Sequence, residues 1–114
     1  MKQIQIIARL RIHQGQLEKF KEIAQKCMDT VRAKDTGVLQ YNWFFNDDES
    51  ECVVCELHED SQAVTRHKEN LGETLGTLLA LADLSVELYG TPTKELVEGM
   101  AGLDAKFYSF YLGL

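Results

Sequence analysis

Lysine and arginine never gather in this chain: no window holds the basic cluster that neutralising a phosphate backbone requires, and 18 acidic against 12 basic residues leave a formal charge of −6. Nucleic acid is therefore not an expected partner. Long apolar runs are missing too, since the strongest stretch, Leu78 to Leu84, is too short to span a bilayer and is broken by Asp83. Met1 to Ile12 interleaves Lys2, Arg9 and Arg11 with apolar residues and does not read as a secretory leader. The expectation is a cytoplasmic protein with no membrane partner.

Cysteine is sparse and odd in number. Cys27, Cys52 and Cys55, in a chain read as having no export signal, argue against a disulfide framework. Cys52 and Cys55 form a C-x-x-C, but the run Glu51 to His58 reads as a strand, where positions three apart point to opposite faces. The same parity separates Cys55 from His58, so no metal site is expected and buried free thiols are the simpler role.

What is present is one domain's worth of alternating and helical patterns. With 114 residues, 45% of them apolar, the chain has length for a single core, and no internal repeat or low-complexity tract divides it. Ile4, Ile6, Ala8, Leu10 and Ile12 alternate with polar neighbours and predict a strand. From Gln16 to about Lys34 the residues Leu17, Phe20, Ile23, Ala24, Cys27 and Val31 recur at helical spacing. Asp35-Thr-Gly37 stops that helix, and Val38 to Phe45 with Glu51 to His58 read as a hairpin about an acidic tip. Glu59, Asp60 and Ser61 offer N-cap chemistry for a second helix carrying Ala63, Val64, His67 and Leu71 inward, with interruptions expected at Gly72 and Gly76. Leu84, Val86 and Leu88 predict a fourth strand.

That order is βαββαβ, an α+β ferredoxin-like arrangement: a four-stranded antiparallel sheet with both helices on one face, spanning residues 1–90. Residues 91–114 form an extension, with Pro92 read at the first position of a short helix over Thr93 to Met100 and an aromatic strand over Phe107 to Leu112. Such a strand is expected to pair with a sheet edge, in its own subunit or a partner's. The sheet face without helices mixes Ile7 with Arg9 and Arg11, which suits a sheet-on-sheet contact, so a homodimer or higher homo-oligomer is expected.

Gly37-x-x-x-Tyr41, followed by Glu56-x-His58-x-Asp60-x-x-Ala63-Val64-x-x-His67, resembles the signature of the antibiotic-biosynthesis monooxygenase family of dimeric α+β barrels. His58 stands where that family usually has Trp, and the position of its common second His falls on Gly72. The resemblance implies a pocket between sheet and helices, and a cofactor-independent oxygenase whose deprotonated aromatic or quinol substrate reduces dioxygen directly. Pocket positions held in the family by Asn, Trp and Tyr correspond to Val54, His58 and Val64. Haem-degrading relatives use a later helical His, and from Lys68 to Ala82 there is none; no cofactor is expected.

His67, on the apolar face of its helix, is the candidate proton acceptor, against the alternative of a satisfied core histidine. Glu56 and His58 share strand parity and are candidates to relay protons with it, although His58 also fits a strand end at the surface. Tyr41 and Trp43 share a face and read as an aromatic wall for a planar ligand, or as core. Two function classes follow: a monooxygenase acting on a small aromatic or quinol-type substrate with catalytic His67, His58 and Glu56 and substrate contacts from Tyr41, Trp43, Val54 and Val64, or a non-catalytic small-molecule-binding protein of the same fold. A structural role for the aromatic tail is a third.

Overall fold

The computed structural model describes residues 2–114. Strand β1 (Ile4–Ile12) buries Ile4, Ile6, Ala8 and Leu10 on one face, as its alternation requires. Helix α1 (Leu17–Lys34) lays Phe20, Ile23, Cys27 and Val31 on the same side of the sheet. It ends where Asp35 turns to extended backbone, its N–H still donating to Val31 O at 3.0 Å.

Strands β2 (Val38–Phe45) and β3 (Glu51–His58) form the hairpin. Its turn is held by side chains: Asn46 Oδ1 accepts from Glu51 N–H at 2.9 Å and Asp48 Oδ1 from Ser50 N–H at 3.0 Å. Helix α2 (Ser61–Leu71) starts at Asp60, whose carboxylate accepts from Ala63 N–H at 2.8 Å. Gly72, at φ +50°, then breaks the helix and α3 (Glu73–Leu79) begins at once. Gly76 does not interrupt: it sits inside α3, because three residues after a fresh helix start the chain has no reason to leave the helical basin.

Strand β4 (Ala82–Tyr89) completes the βαββαβ order, and α4 (Lys94–Gly99) follows. Thr93, not Pro92, borders α4, its hydroxyl accepting from Leu96 N–H at 3.2 Å, so the proline lies one residue outside the cap. Strand β5 (Ala105–Tyr108) pairs with β4 of its own chain and in parallel, giving a five-stranded mixed sheet in the order β2-β3-β1-β4-β5. The expected aromatic strand thus lies earlier and is shorter than Phe107 to Leu112. Beyond Tyr108 the edge offered by β4 runs out, Gly90 N–H bonding to Tyr108 O at 2.9 Å, and Phe110, Tyr111 and Leu112 stand exposed.

The antiparallel register places Trp43, Val54, Ala8 and Val86 in one line across β2, β3, β1 and β4, and Tyr41, Glu56, Ile6 and Leu88 in the next. These are the helix-covered rows. The opposite parity carries half-buried Ile7, Val53, Cys55 and Leu57, so Cys52 in the core and Cys55 on the outer face are divided as strand geometry demands. No helix among the described residues is long and apolar enough to cross a membrane.

Candidate functional site

A cavity of about 680 Å³ lies between the helix-covered face of the sheet and helices α2, α3 and α4. Its floor includes Tyr41, Trp43, Val54 and Glu56, its wall Val64 and His67 from α2. His67 comes inward because it shares the α2 face of Ala63, Val64 and Leu71 and is only 6% exposed.

His67 Nδ1–H donates to Asp35 Oδ2 at 2.6 Å, and Asn70 Nδ2 donates to the other oxygen of the same carboxylate at 2.7 Å. With Nδ1 committed, the neutral ring carries its lone pair on Nε2, which lies 3.7 Å from Glu56 Oε1. That gap is too long for a direct hydrogen bond. Glu56 is held from the other side by His58, whose Nε2–H donates to the same oxygen at 2.7 Å. The result is an ordered chain, Asn70–Asp35–His67 facing Glu56–His58, assembled from the end of α1, from β3 and from α2.

His58 is wholly buried and does not line the cavity. The reading of it as a strand end at the surface is thereby corrected: the ring is fully buried and packs edge-on against His67 of α2, with centroids 5.2 Å apart. Its Nδ1 has no partner among the described residues, so the ring acts through a single bond to Glu56.

Tyr41 packs edge-on against both His67 and Trp43, with ring centroids 5.0 and 5.6 Å away. Burial, and then the neighbouring Glu56 carboxylate, push its phenol far above the ordinary tyrosine value, so it stays a protonated hydroxyl. Trp43 rests edge-on against Phe20 of α1, and its buried indole N–H is unpartnered among the described residues. The aromatic pair is thus packed into the core and also borders the cavity.

Sequence patterns did not reveal Asp35 and Asn70. Asp35 stood out only as a helix stop, yet its side chain is 3% exposed and bonded to a residue 32 positions away. A carboxylate two residues before the motif's Gly37 is the one local hint; only the packing of α1 beside α2 shows its target. The motif itself divides in two. Gly37 and Ala63 touch, Asp60 caps α2, and Glu59 N–H bonds to Gly37 O at 2.9 Å, so these residues join strand to helix. Tyr41, Glu56 and His67 face the cavity.

Residues 4–71 match the family model of the antibiotic biosynthesis monooxygenases, a span that runs from β1 through α2 and includes the whole polar chain just described. The protein belongs to that family. Among solved structures, MupZ from Pseudomonas fluorescens aligns with a TM-score of 0.83 at 19% identity, covering 100% of this chain and 94% of its own. SnoaB, a cofactor-independent oxygenase from Streptomyces nogalater, aligns with a TM-score of 0.68 at 16% identity over 82% of this chain and 97% of its own. Rv0793 from Mycobacterium tuberculosis gives 0.70 at 16% identity over 81% and 97%. At these identities the likeness is one of fold. No curated protein matches the sequence.

Proposed function

We propose that this chain is a cofactor-independent monooxygenase that oxidises a small electron-rich aromatic or quinol-type compound with dioxygen, acting in the cytoplasm as a homodimer. The observation that carries the reading is His67: buried beside the cavity, its Nδ1 fixed by Asp35 at 2.6 Å and its Nε2 left as an acceptor. An imidazole oriented in this way is a competent general base near neutral pH. The family and the fold shared with a cofactor-independent oxygenase support the same reaction class.

In the proposed reaction the substrate ring lies against Tyr41 and Trp43, with Val54 and Val64 on either side. Nε2 of His67 takes the proton of the ring hydroxyl. The anion then passes one electron to dioxygen, and the resulting radical pair closes a C–O bond at an activated ring carbon. Loss of the hydrogen on that carbon breaks the O–O bond: one oxygen atom stays as a carbonyl, and the other leaves as water with that hydrogen and the proton held on His67. Glu56 sits where it stabilises the imidazolium, and His58 positions Glu56. Residues 1–90 form the domain that carries this chemistry, and 91–114 close one side of the cavity through α4.

Oxygen uptake with a panel of hydroquinones and anthrones tests the proposal. The expected result is consumption of dioxygen with one labelled oxygen atom in the product, lost in His67→Ala. Equal activity in wild type and His67→Ala removes the assigned base. Binding of these compounds without turnover would instead make the chain a small-molecule-binding protein.

The dimer rests on the half-buried outer-face residues Ile7, Val53 and Leu57, flanked by the Arg9–Glu87 pair at 3.5 Å. Sedimentation should report twice the protomer mass, and a stable monomer would overturn it.

A further inference from the structure

We infer that the natural ligand of this cavity is an uncharged phenol or quinol bearing a long aliphatic chain, its ring at the Glu56–His67 end and its chain running across β1 and β4 beneath α3 and α4. The head group rests on the function proposed above; the chain rests on different residues.

Register supplies the first argument. The line Trp43–Val54–Ala8–Val86 crosses three strand spacings, about 14 Å at roughly 4.8 Å each, and all four residues border the cavity. Ala8 is the smallest of them and stands in the middle, so the floor dips where a chain would pass from head to far end. A ring placed between Trp43 and His67 occupies only the β2 and β3 part of that length.

The second argument is the distribution of buried polar groups. Tyr41, Glu56 and His67 cluster over β2 and β3, and the other polar lining residues, Thr65, Lys68, Glu69 and Glu95, are solvent-exposed, whereas the buried and half-buried surface above β1 and β4 is built from Leu84, Val86, Leu78, Leu79, Leu96 and Met100. A small, purely aromatic ligand would not reach these side chains. The volume agrees, since 680 Å³ lies well inside the range of about 300–1,000 Å³ found for pockets that hold drug-sized ligands.

Charge decides the head group. Glu56, Glu69 and Glu95 border the cavity against a single cation, Lys68, whose ammonium already donates to Gly99 O at 2.8 Å. A carboxylate-headed chain such as a free fatty acid would meet Glu56 where it needs a cation. A neutral hydroxyl finds an acceptor in His67 Nε2.

Trp43 is the only tryptophan in the chain and borders the cavity, so its fluorescence reports occupancy directly. Titrations with ethyl-, butyl-, hexyl- and octylphenol, each below its aggregation limit, should show affinity rising about fourfold per added methylene until the floor is used up. Octanoate and decanoate should bind far more weakly than phenols of equal chain length. Ala8→Phe, with Val86→Phe as the second variant should the first not fold, should end the gain at a shorter chain. Affinity independent of chain length, carboxylates binding as well as phenols, or a series unchanged by the blocking variants would each overturn the inference. Oxygen uptake with the matching alkylhydroquinones separates the two proposals: chain-dependent binding without uptake supports the chain site and rejects the oxygenase, while uptake without chain dependence does the reverse.

Discussion

Replacing Gly37 by Ala tests whether the motif glycine is there for contact rather than chemistry. A Cβ built on Gly37 would stand 2.6 Å from Ala63 Cβ and 3.0 Å from Glu59 Oε1, whereas carbon atoms rest at about 3.5–4.0 Å. Strand β2 and helix α2 would have to part by about 1 Å. The junction has little room to yield, because Glu59 N–H is bonded to Gly37 O at 2.9 Å and Asp60 caps the helix one residue further on. Overpacking of this kind costs about 1–3 kcal/mol, which in a domain of this size is a fall of roughly 5–15 °C in Tm. Urea and thermal unfolding followed by circular dichroism give both numbers. Ala63→Gly alone should cost about 1 kcal/mol through helix propensity, but it vacates the space that the new methyl needs. The double variant should therefore be more stable than the sum of the two changes by about 1–2 kcal/mol. A Gly37→Ala protein within about 0.5 kcal/mol of wild type, or strictly additive variants, would refute the steric reasoning.

Asp35→Asn keeps the shape but removes the carboxylate that fixes His67; a loss of about 1.5–3 kcal/mol of stability is expected from the buried charge-assisted bond, and oxygen uptake should fall by about 10²-fold or more because the imidazole loses its orientation as a base. Uptake at the wild-type rate in that variant would reject the orienting role. Burial pushes the thiols of Cys27 and Cys52 up to about 11, with Glu56 adding to the effect at Cys27. Raised folded-state values favour the protonated form, so this contribution to stability is intact below about pH 9 and is lost as pH climbs towards 11, with a slope of at most about 1.4 kcal/mol per pH unit for each thiol. Tyr41 shifts in the same sense; urea midpoints that stay level between pH 9 and 11 would contradict both. Gly76 lies inside α3 with nothing within 4 Å of a would-be Cβ, so Gly76→Ala should stabilise the protein by about 0.5–1 kcal/mol, and a lower Tm would show that the space is not free.

The strands and helices of residues 4–90 could be read from the chain because each obeys one period. β1 alternates, α1 repeats every three to four residues, and Asp60 announces α2. Legibility fails where tertiary pairing sets the limits. The length and parallel direction of β5 depend on how much edge β4 leaves open, which no property of Phe107 or Tyr111 encodes. Within the site, Tyr41, Glu56 and His67 were visible as inward positions of their own elements. The burial of His58 goes with its packing against His67 of α2, and the partnership of Asp35 with His67 depends on α1 and α2 lying side by side. Local patterns say which way a side chain points; they do not say what it meets there.

The bond between Asp35 and His67, 32 positions apart, joins the tail of one helix to the middle of another across the whole β2–β3 hairpin. An imidazole oriented in this manner cannot exist in a chain that has only its local structure, since α1, the β2–β3 pair and α2 must all have docked first. The proton transfer proposed for His67 would therefore switch on late in folding and switch off early in any loosening of the helix layer, which would make the proposed turnover a more demanding gauge of native packing than helical content.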